Sequence, residues 1–220
     1  FCDGRPDLDA VGVQFVPDVA PFEHMKIRIL NGGLAVIAYP AGLLDIEYVH
    51  EAMAHPLVAG FLEKVERDEI VPMVPPVPDT SLDGYLQLIR DRFANPRIGD
   101  TIRRLCLYGS NRQPKCIVPS IIANRKAGNP VPGLALESAL WCRYCAGTSE
   151  SGRAIEPNDP IWDRLTAQAN AARTDPGAWL SMHDIYGAVG AAPAFRDAFA
   201  RWLGAIWSEG TEAALRRYVG

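Results

Sequence analysis

The 220-residue sequence lacks the features that define several large classes of protein. No window reaches the ~18 consecutive apolar residues of a membrane-spanning helix, and no charged stretch followed by an apolar run suggests a signal peptide. The net charge of −4 argues against a general nucleic-acid-binding protein, which would normally show a basic face. The five cysteines are an odd number at irregular spacing. We therefore expect no disulfides and a location in the reducing cytoplasm.

Motifs for holding nucleotide phosphates or metal ions are also missing. Neither G-x-G-x-x-G after a strand nor G-x-x-x-x-G-K-[ST] occurs, so no cofactor-binding residues are predicted within this chain. The pair Cys142-x-x-Cys145 stands alone, whereas a structural zinc site normally needs a second pair or histidines at ligand spacing. We therefore predict two buried thiols and no metal site.

Hydrophobic periodicity indicates a helical protein. Apolar residues recur at helical spacing along most of the chain, and no alternating run is long enough for a strand. A hydrophobic content of 48% is sufficient for a substantial core. The sequence therefore predicts an all-α, multi-helical domain of about eight to ten helices, without a domain-sized linker.

Several helix boundaries are predicted from capping and helix-breaking residues. The first long helix should end near Tyr39, because Pro40 and Gly42 follow it. Asp45 should cap the next helix, and Ser81 should cap an amphipathic one. The glycine and proline of YGSNRQP, residues 108–114, predict a turn or loop.

The stretch KIRILNGGLAVIAYP, residues 26–40, carries polar side chains within an apolar helix. On an α-helix of ~100° per residue, Lys26 lies at 0°, Leu34 at about 80° and Asn31 at about 140°, so the three are spread over one side of the helix. One interpretation is a lysine whose stem lies along apolar surface and an asparagine at a kink made by Gly32-Gly33. The other is a desolvated lysine, whose lowered pKa would suit a general base. The residues alone leave both open.

A second polar cluster is basic and lies at IRRLCLYGSNRQPK, residues 102–115. A solvated surface is the simpler interpretation for Arg103. For Arg104 and Arg112 an equally good interpretation is that their forked guanidiniums bind hydroxyls, carboxylates or phosphates.

These two motifs together resemble the mannitol dehydrogenase family of zinc-independent, long-chain polyol dehydrogenases. Lys26-IRIL-Asn31-GG-Leu34 is similar to the family pattern K-x-x-x-x-N-x-x-H, and Arg104-LCLYGSNRQP to R-x-x-x-D-G-S-x-K-x-P. The lead-in FCDGRPDLDAVGVQFVPDV, the segment YVHEAM and residues 74–104 carry the same resemblance, which spans essentially the whole chain.

The resemblance implies a fold, a domain organisation and a reaction. Residues 21–220 would form a helical substrate-binding and catalytic domain similar to the C-terminal domain of 6-phosphogluconate dehydrogenase. Residues 1–20 would lead in from an N-terminal Rossmann-like domain that binds NAD and lies outside this chain. The reaction would be hydride exchange between D-mannitol and D-fructose in the cleft between the two domains. This chain alone is expected to be inactive.

The resemblance also implies roles for individual residues. Lys26 would be the general acid and base, and Asn31 would donate a hydrogen bond to the reacting oxygen. Arg104 would bind substrate hydroxyls, and Arg112, which stands where the family usually has lysine, could make a similar contact.

Besides Cys116, a milder change where an aromatic or aliphatic residue would be expected, two positions depart from the family pattern. Leu34 stands at the histidine that would contact substrate, and Tyr108 replaces the aspartate of D-G-S. Leucine cannot form the hydrogen bond that histidine would supply. The alternatives are therefore an impaired or non-catalytic member of the family, or a dehydrogenase for another polyol, a hexuronate or a sugar phosphate.

Overall fold

The computed structural model describes residues 4–220, and within that range the chain is helical throughout, with no strand. The predicted all-α class is therefore confirmed. Twelve helices are formed in these residues besides short 3-10 turns. Their bounds are α1, residues 20–43 (Ala20–Met25, Lys26–Asn31 and Gly32–Leu43); α2, Val49–Ala54; α3, residues 56–70 (Pro56–Val65 and Glu66–Ile70); α4, Leu82–Phe93; α5, Ile102–Leu105; α6, residues 109–126 (Gly109–Arg112, Gln113–Ile117 and Val118–Lys126); α7, Pro132–Cys145; α8, Trp162–Ala171; α9, Gly177–Leu180; α10, His183–Tyr186; α11, Pro193–Glu209; and α12, Thr211–Val219.

Helix α7 is the centre of the fold. Every residue from position 133 to 145 is buried, as expected for a helix that is apolar on all sides. Its Trp141 ring lies 4.8 Å from that of Trp179 and 6.2 Å from that of Tyr39, measured between centroids. The burial predicted for Cys142 and Cys145 is confirmed. None of the helices in the described range is both long and apolar enough to cross a bilayer.

Three segments of the described chain are π-helical, and each continues directly from or into α-helix. They are Lys26–Asn31 in α1, Glu66–Ile70 in α3 and Gln113–Ile117 in α6. In the first, the N–H of Gly32 donates to the carbonyl of Ile27, five residues earlier. Such single-turn π segments are uncommon and concentrate at functional sites.

The predicted cap at Ser81 is confirmed, because its hydroxyl accepts the N–H of Gly84 at 3.0 Å. The predicted stop at Pro40 is wrong, and α1 continues to Leu43. Pro40 removes one backbone hydrogen bond near the end of the helix, and its buried position in the core offsets that loss.

Two further boundary predictions are also wrong. Asp45 caps no helix and has a left-handed backbone, φ 59°, while its carboxylate accepts hydrogen bonds from Ser149 and Arg153. Residues 109–114 are helical rather than a loop. Gly109 is there because of packing, since a Cβ at this position would lie 2.6 Å from the indole nitrogen of Trp141.

Candidate active site

An antiparallel bridge between Tyr48 and Thr101 joins the start of α2 to the start of α5. The N–H of Val49 donates to the carbonyl of Asp100 at 3.0 Å, and the N–H of Ile102 donates to the carbonyl of Glu47 at 2.9 Å. The bridge holds two polar segments that are far apart in sequence side by side. Both of them face the pocket described next.

A pocket of about 270 Å³ brings most of the predicted site residues together. Asn31 and Leu34 approach it from α1, Arg104 from α5 and Arg112 from α6. The remaining lining residues come from α1, α2, the end of α4 and the segment that follows it: Leu30, Val49, His50, Arg92, Phe93, Asn95, Ile98 and Asp100. Two motifs separated by about 70 residues of chain therefore meet in one place.

Lys26 precedes Asn31 by five residues in the same π-helical segment, but it does not line the pocket. Its side chain is exposed. The sequence-based interpretation of a desolvated lysine is therefore not met within residues 4–220. Burial of its amine would require a surface that these residues do not supply.

The Arg104 guanidinium is held by Asp100, four residues earlier, through both its Nε and Nη2 atoms. Hydrogen bonding from Arg104 lowers the pKa of the Asp100 carboxyl, so that this group stays ionised. A two-point pair of this kind fixes the plane of a guanidinium. The remaining N–H groups of Arg104 are left for a ligand.

Arg112 is half-buried, and its Nη1 donates to the carbonyl of Leu105 at 2.5 Å. Tyr108, the other departure from the family pattern, lies outside the pocket lining and is 54% exposed. Its φ of 58° is left-handed, a conformation that aspartate adopts more readily than an aromatic residue. Tyr108 therefore changes the backbone energetics of the loop before α6 and not the lining of the pocket.

Sequence reasoning missed four polar residues of the pocket: His50, Arg92, Asn95 and Asp100. Asp100 carried a usable signal, because an acidic residue four positions before an arginine commonly pairs with it on a helix. His50 carried none, since a polar residue near a helix start is explained equally well by capping or solvation.

Three glutamates of the described residues are buried, Glu66, Glu69 and Glu137, and two of them contact residues next to the pocket. Glu66 is fully buried, and neither of its oxygens has a hydrogen-bond partner in the described part of the chain. Burial raises its pKa well above the ordinary value. Gly33 accommodates it, because a Cβ at position 33 would lie 2.8 Å from Oε1 of Glu66. Because Gly32 and Gly33 have no side chains, α3 of the same domain can approach α1 closely.

The second buried carboxyl, Glu137 in α7, accepts a hydrogen bond from Nε2 of Gln113 at 2.5 Å. Burial raises the pKa of Glu137 to about 8. Gln113 begins the π segment that directly follows Arg112. The interior polar contact therefore anchors the backbone next to a pocket arginine.

A larger cavity of about 470 Å³ lies away from these residues, between the 42–47, 101–103 and 153–156 segments. Arg103 at its edge pairs with Glu156 at 2.9 Å, and Arg153 pairs with Asp45 at 2.6 Å. Both of its arginines are thus engaged in ion pairs, and the Glu47 carboxylate also lines it, whereas the smaller pocket gathers the predicted site residues. The smaller pocket is therefore the better candidate site.

Among the described residues, no cluster of three or more potential ligands could hold a metal ion.

Comparison with known proteins identifies the domain. The family model for the mannitol dehydrogenase C-terminal domain matches residues 18–207. A mannitol 2-dehydrogenase of Cereibacter sphaeroides is 58% identical over 219 residues, which cover 100% of this chain and 46% of that protein. A mannitol 2-dehydrogenase of Aspergillus clavatus is 38% identical over 85% of this chain and 38% of its own length.

Solved structures show the same relationship. The ternary complex of Pseudomonas fluorescens mannitol 2-dehydrogenase with NAD and D-mannitol has a TM-score of 0.93 and 33% identity, covering 98% of this chain and 44% of that one. A substrate-free D-sorbitol dehydrogenase, at 23% identity and a TM-score of 0.87, shares the fold. The chain spans less than half the length of these relatives. It belongs to the mannitol dehydrogenase family and has the fold of that family's C-terminal domain.

Proposed function

We propose that this chain is the substrate-binding and catalytic domain of an NAD-dependent polyol dehydrogenase that interconverts D-mannitol and D-fructose. The observation that carries the proposal is the single pocket lined by Asn31, Arg104 and Arg112. Lys26 lies one π-helical turn before Asn31. The names of the relatives, mannitol 2-dehydrogenases, support the choice of substrate.

In the proposed mechanism, the chain handles the proton and orients the polyol. Lys26 takes the proton of the reacting hydroxyl during oxidation and returns it during reduction. The Asn31 amide donates a hydrogen bond to the same oxygen, where negative charge develops. Arg104, held in place by Asp100, and Arg112 donate hydrogen bonds to the other hydroxyls.

The redox partner belongs to another part of the protein. Oxidation also removes a hydride from the carbinol carbon, and NAD would accept it. Residues 4–220 do not fit that cofactor, because they contain no strand leading into a glycine-rich turn and helix that could cradle its diphosphate. We therefore assign NAD mainly to an N-terminal domain outside these 220 residues, and expect this chain alone to be inactive.

The segment before α1 supports the idea of a partner domain. Its apolar side chains are exposed rather than packed on the helical core, most of all Val11 at 77% and Val19 at 65%. A second domain placed against this segment would also cover the exposed side of Lys26 and desolvate its amine. We further propose a cytoplasmic location, supported by four buried thiols without a disulfide among the described residues.

Leu34 gives the second candidate function its support. It lines the pocket, where it offers no hydrogen bond. Losing one positioned donor to a reacting group costs on the order of 10²–10³ in rate, and less where the donor only orients substrate. An impaired or non-catalytic protein that still binds polyols is therefore the alternative. The three pocket arginines also keep a hexuronate or sugar phosphate as alternative substrates.

The test is a steady-state assay of the full-length protein with D-mannitol and NAD, and with D-fructose and NADH. We expect turnover in both directions, and Leu34→His should raise kcat/KM by about tenfold or more. A substrate panel with a hexuronate and a sugar phosphate ranks the alternatives. Polyol and cofactor binding without turnover would favour the non-catalytic protein, and turnover by the 220-residue chain alone would contradict the domain assignment.

A further inference from the structure

We propose that His50 is a further substrate-binding residue, which accepts a hydrogen bond from a polyol hydroxyl and partly replaces the group lost at Leu34. This inference rests on the proposed function. His50 is half-buried and lines the same pocket as Asn31 and Leu34.

The position of His50 is well fixed by its backbone. It is the second residue of α2, and the helix start is capped where the Tyr48 N–H donates to the Glu51 carboxylate at 3.0 Å. On the other side, the N–H of Val49 is held by the carbonyl of Asp100. The imidazole lies 5.6 Å from the Tyr48 ring, measured between centroids. The backbone that carries the ring is therefore fixed before a ligand binds, which lowers the ordering cost of binding.

The case for His50 comes from counting hydrogen-bond acceptors. Each hydroxyl of a buried polyol carries a proton that needs an acceptor, because an unpaired buried donor is costly. The three arginines of the pocket only donate. Each oxygen of the Asp100 carboxylate already accepts a hydrogen bond from Arg104, and Oδ1 of Asn95 already accepts the N–H of Arg97 at 3.0 Å. Each of these oxygens therefore keeps at most one lone pair for a hydroxyl.

Two lining side chains, Asn31 and His50, have acceptors that no other side chain of the described residues engages. The Asn31 amide is assigned to the reacting oxygen, where it donates. A neutral imidazole carries one acceptor nitrogen and one N–H donor, which suits a hydroxyl that both donates and accepts. The His50 ring makes no side-chain hydrogen bond or ion pair within residues 4–220, so both nitrogens are available to a ligand.

The test measures equilibrium binding of D-mannitol and D-fructose by the full-length protein, together with steady-state kinetics. His50→Phe keeps a planar ring and removes both hydrogen-bonding groups, and His50→Gln restores an acceptor and a donor. We expect His50→Phe to raise Kd and KM by about tenfold, with kcat changed much less, and His50→Gln to recover most of the loss. His183→Phe, an exposed histidine outside the pocket, is the matched control.

A second comparison addresses compensation for Leu34. In the Leu34→His background, His50→Phe should cost less than in the parent, because two imidazoles then share the hydroxyls. If His50→Phe binds polyol as tightly as the parent does, this inference is overturned and the proposed function is not. A parent that binds no polyol would overturn the proposed function and this inference with it. Thermal unfolding of each variant shows whether the fold is intact.

Discussion

The buried carboxyl of Glu137 makes the stability of this domain depend on pH in a direction that can be calculated. Its pKa rises from an ordinary value of 4.5 to about 8 because α7 is fully enclosed. Between these two values the folded protein keeps a proton that the unfolded chain releases. Stability therefore falls as pH rises, by about 1.4 kcal/mol per pH unit for this group.

The perturbation is Glu137→Gln, which retains an oxygen to accept the Gln113 hydrogen bond but cannot ionise. Below pH 4.5, ionisation of Glu137 should contribute little to any difference in stability between the two proteins, because glutamic acid is neutral in both the folded and unfolded states. Between pH 5.5 and 7.5, the stability of the variant relative to the parent should improve by roughly 3 kcal/mol. Glu66 has a raised pKa for the same reason, so some pH dependence remains in the variant.

The assay is urea unfolding at pH 5.5, 6.5 and 7.5, with the free energy of unfolding extrapolated to water. Glu156→Gln is the matched control, because this glutamate is on the surface, with a side chain that is 76% exposed. Parallel stability curves for the parent and Glu137→Gln across this range would show that Glu137 is not protonated in the folded state. The reasoning from burial would then fail.

Two further predictions concern the packing and electrostatics of the site. Gly33→Ala should destabilise the domain by about 1–3 kcal/mol, because the new methyl group would meet the buried Glu66 carboxyl at 2.8 Å. Urea unfolding measures the loss of stability. Gly204→Ala is the control, because its methyl group would meet no atom within 4 Å. Asp100→Asn should raise the KM for polyol by about tenfold with little change in kcat, because it weakens the pair that fixes Arg104. An equal fall in kcat with unchanged KM would contradict that assignment.

The all-α class followed from periodicity, because apolar residues recur at helical spacing wherever a helix packs against the core. Two positions of the pocket, Asn31 and Leu34, could be grouped from their spacing on one helix. Joining them to Arg104 and Arg112 required the family resemblance, since nothing in local spacing shows that α1, α5 and α6 meet. The helix boundary at Pro40 was mispredicted because core packing outweighed a local preference.

His50 and the buried carboxyls show what local sequence could not reveal. His50 reaches the pocket only because the 47–49 and 100–102 segments pair, a contact between residues about 50 positions apart. Glu66 and Glu137 would ordinarily be placed on the surface, as ionisable residues are seldom buried without a charged partner. In the fold, Glu66 is buried against Gly33 and Glu137 is buried against Gln113.

The π-helical turn from Lys26 to Asn31 sets the relative direction of the proposed proton carrier and amide donor. In an α-helix, residues five apart differ by roughly 140° in direction, because each step turns the chain by ~100°. A π turn takes up one more residue before closing its hydrogen bond, which brings position 31 back toward the direction of position 26. The alignment of the pair is thus a matter of backbone register. A variant that keeps both side chains but lets this turn relax to α-helical hydrogen bonding would separate them without changing either one.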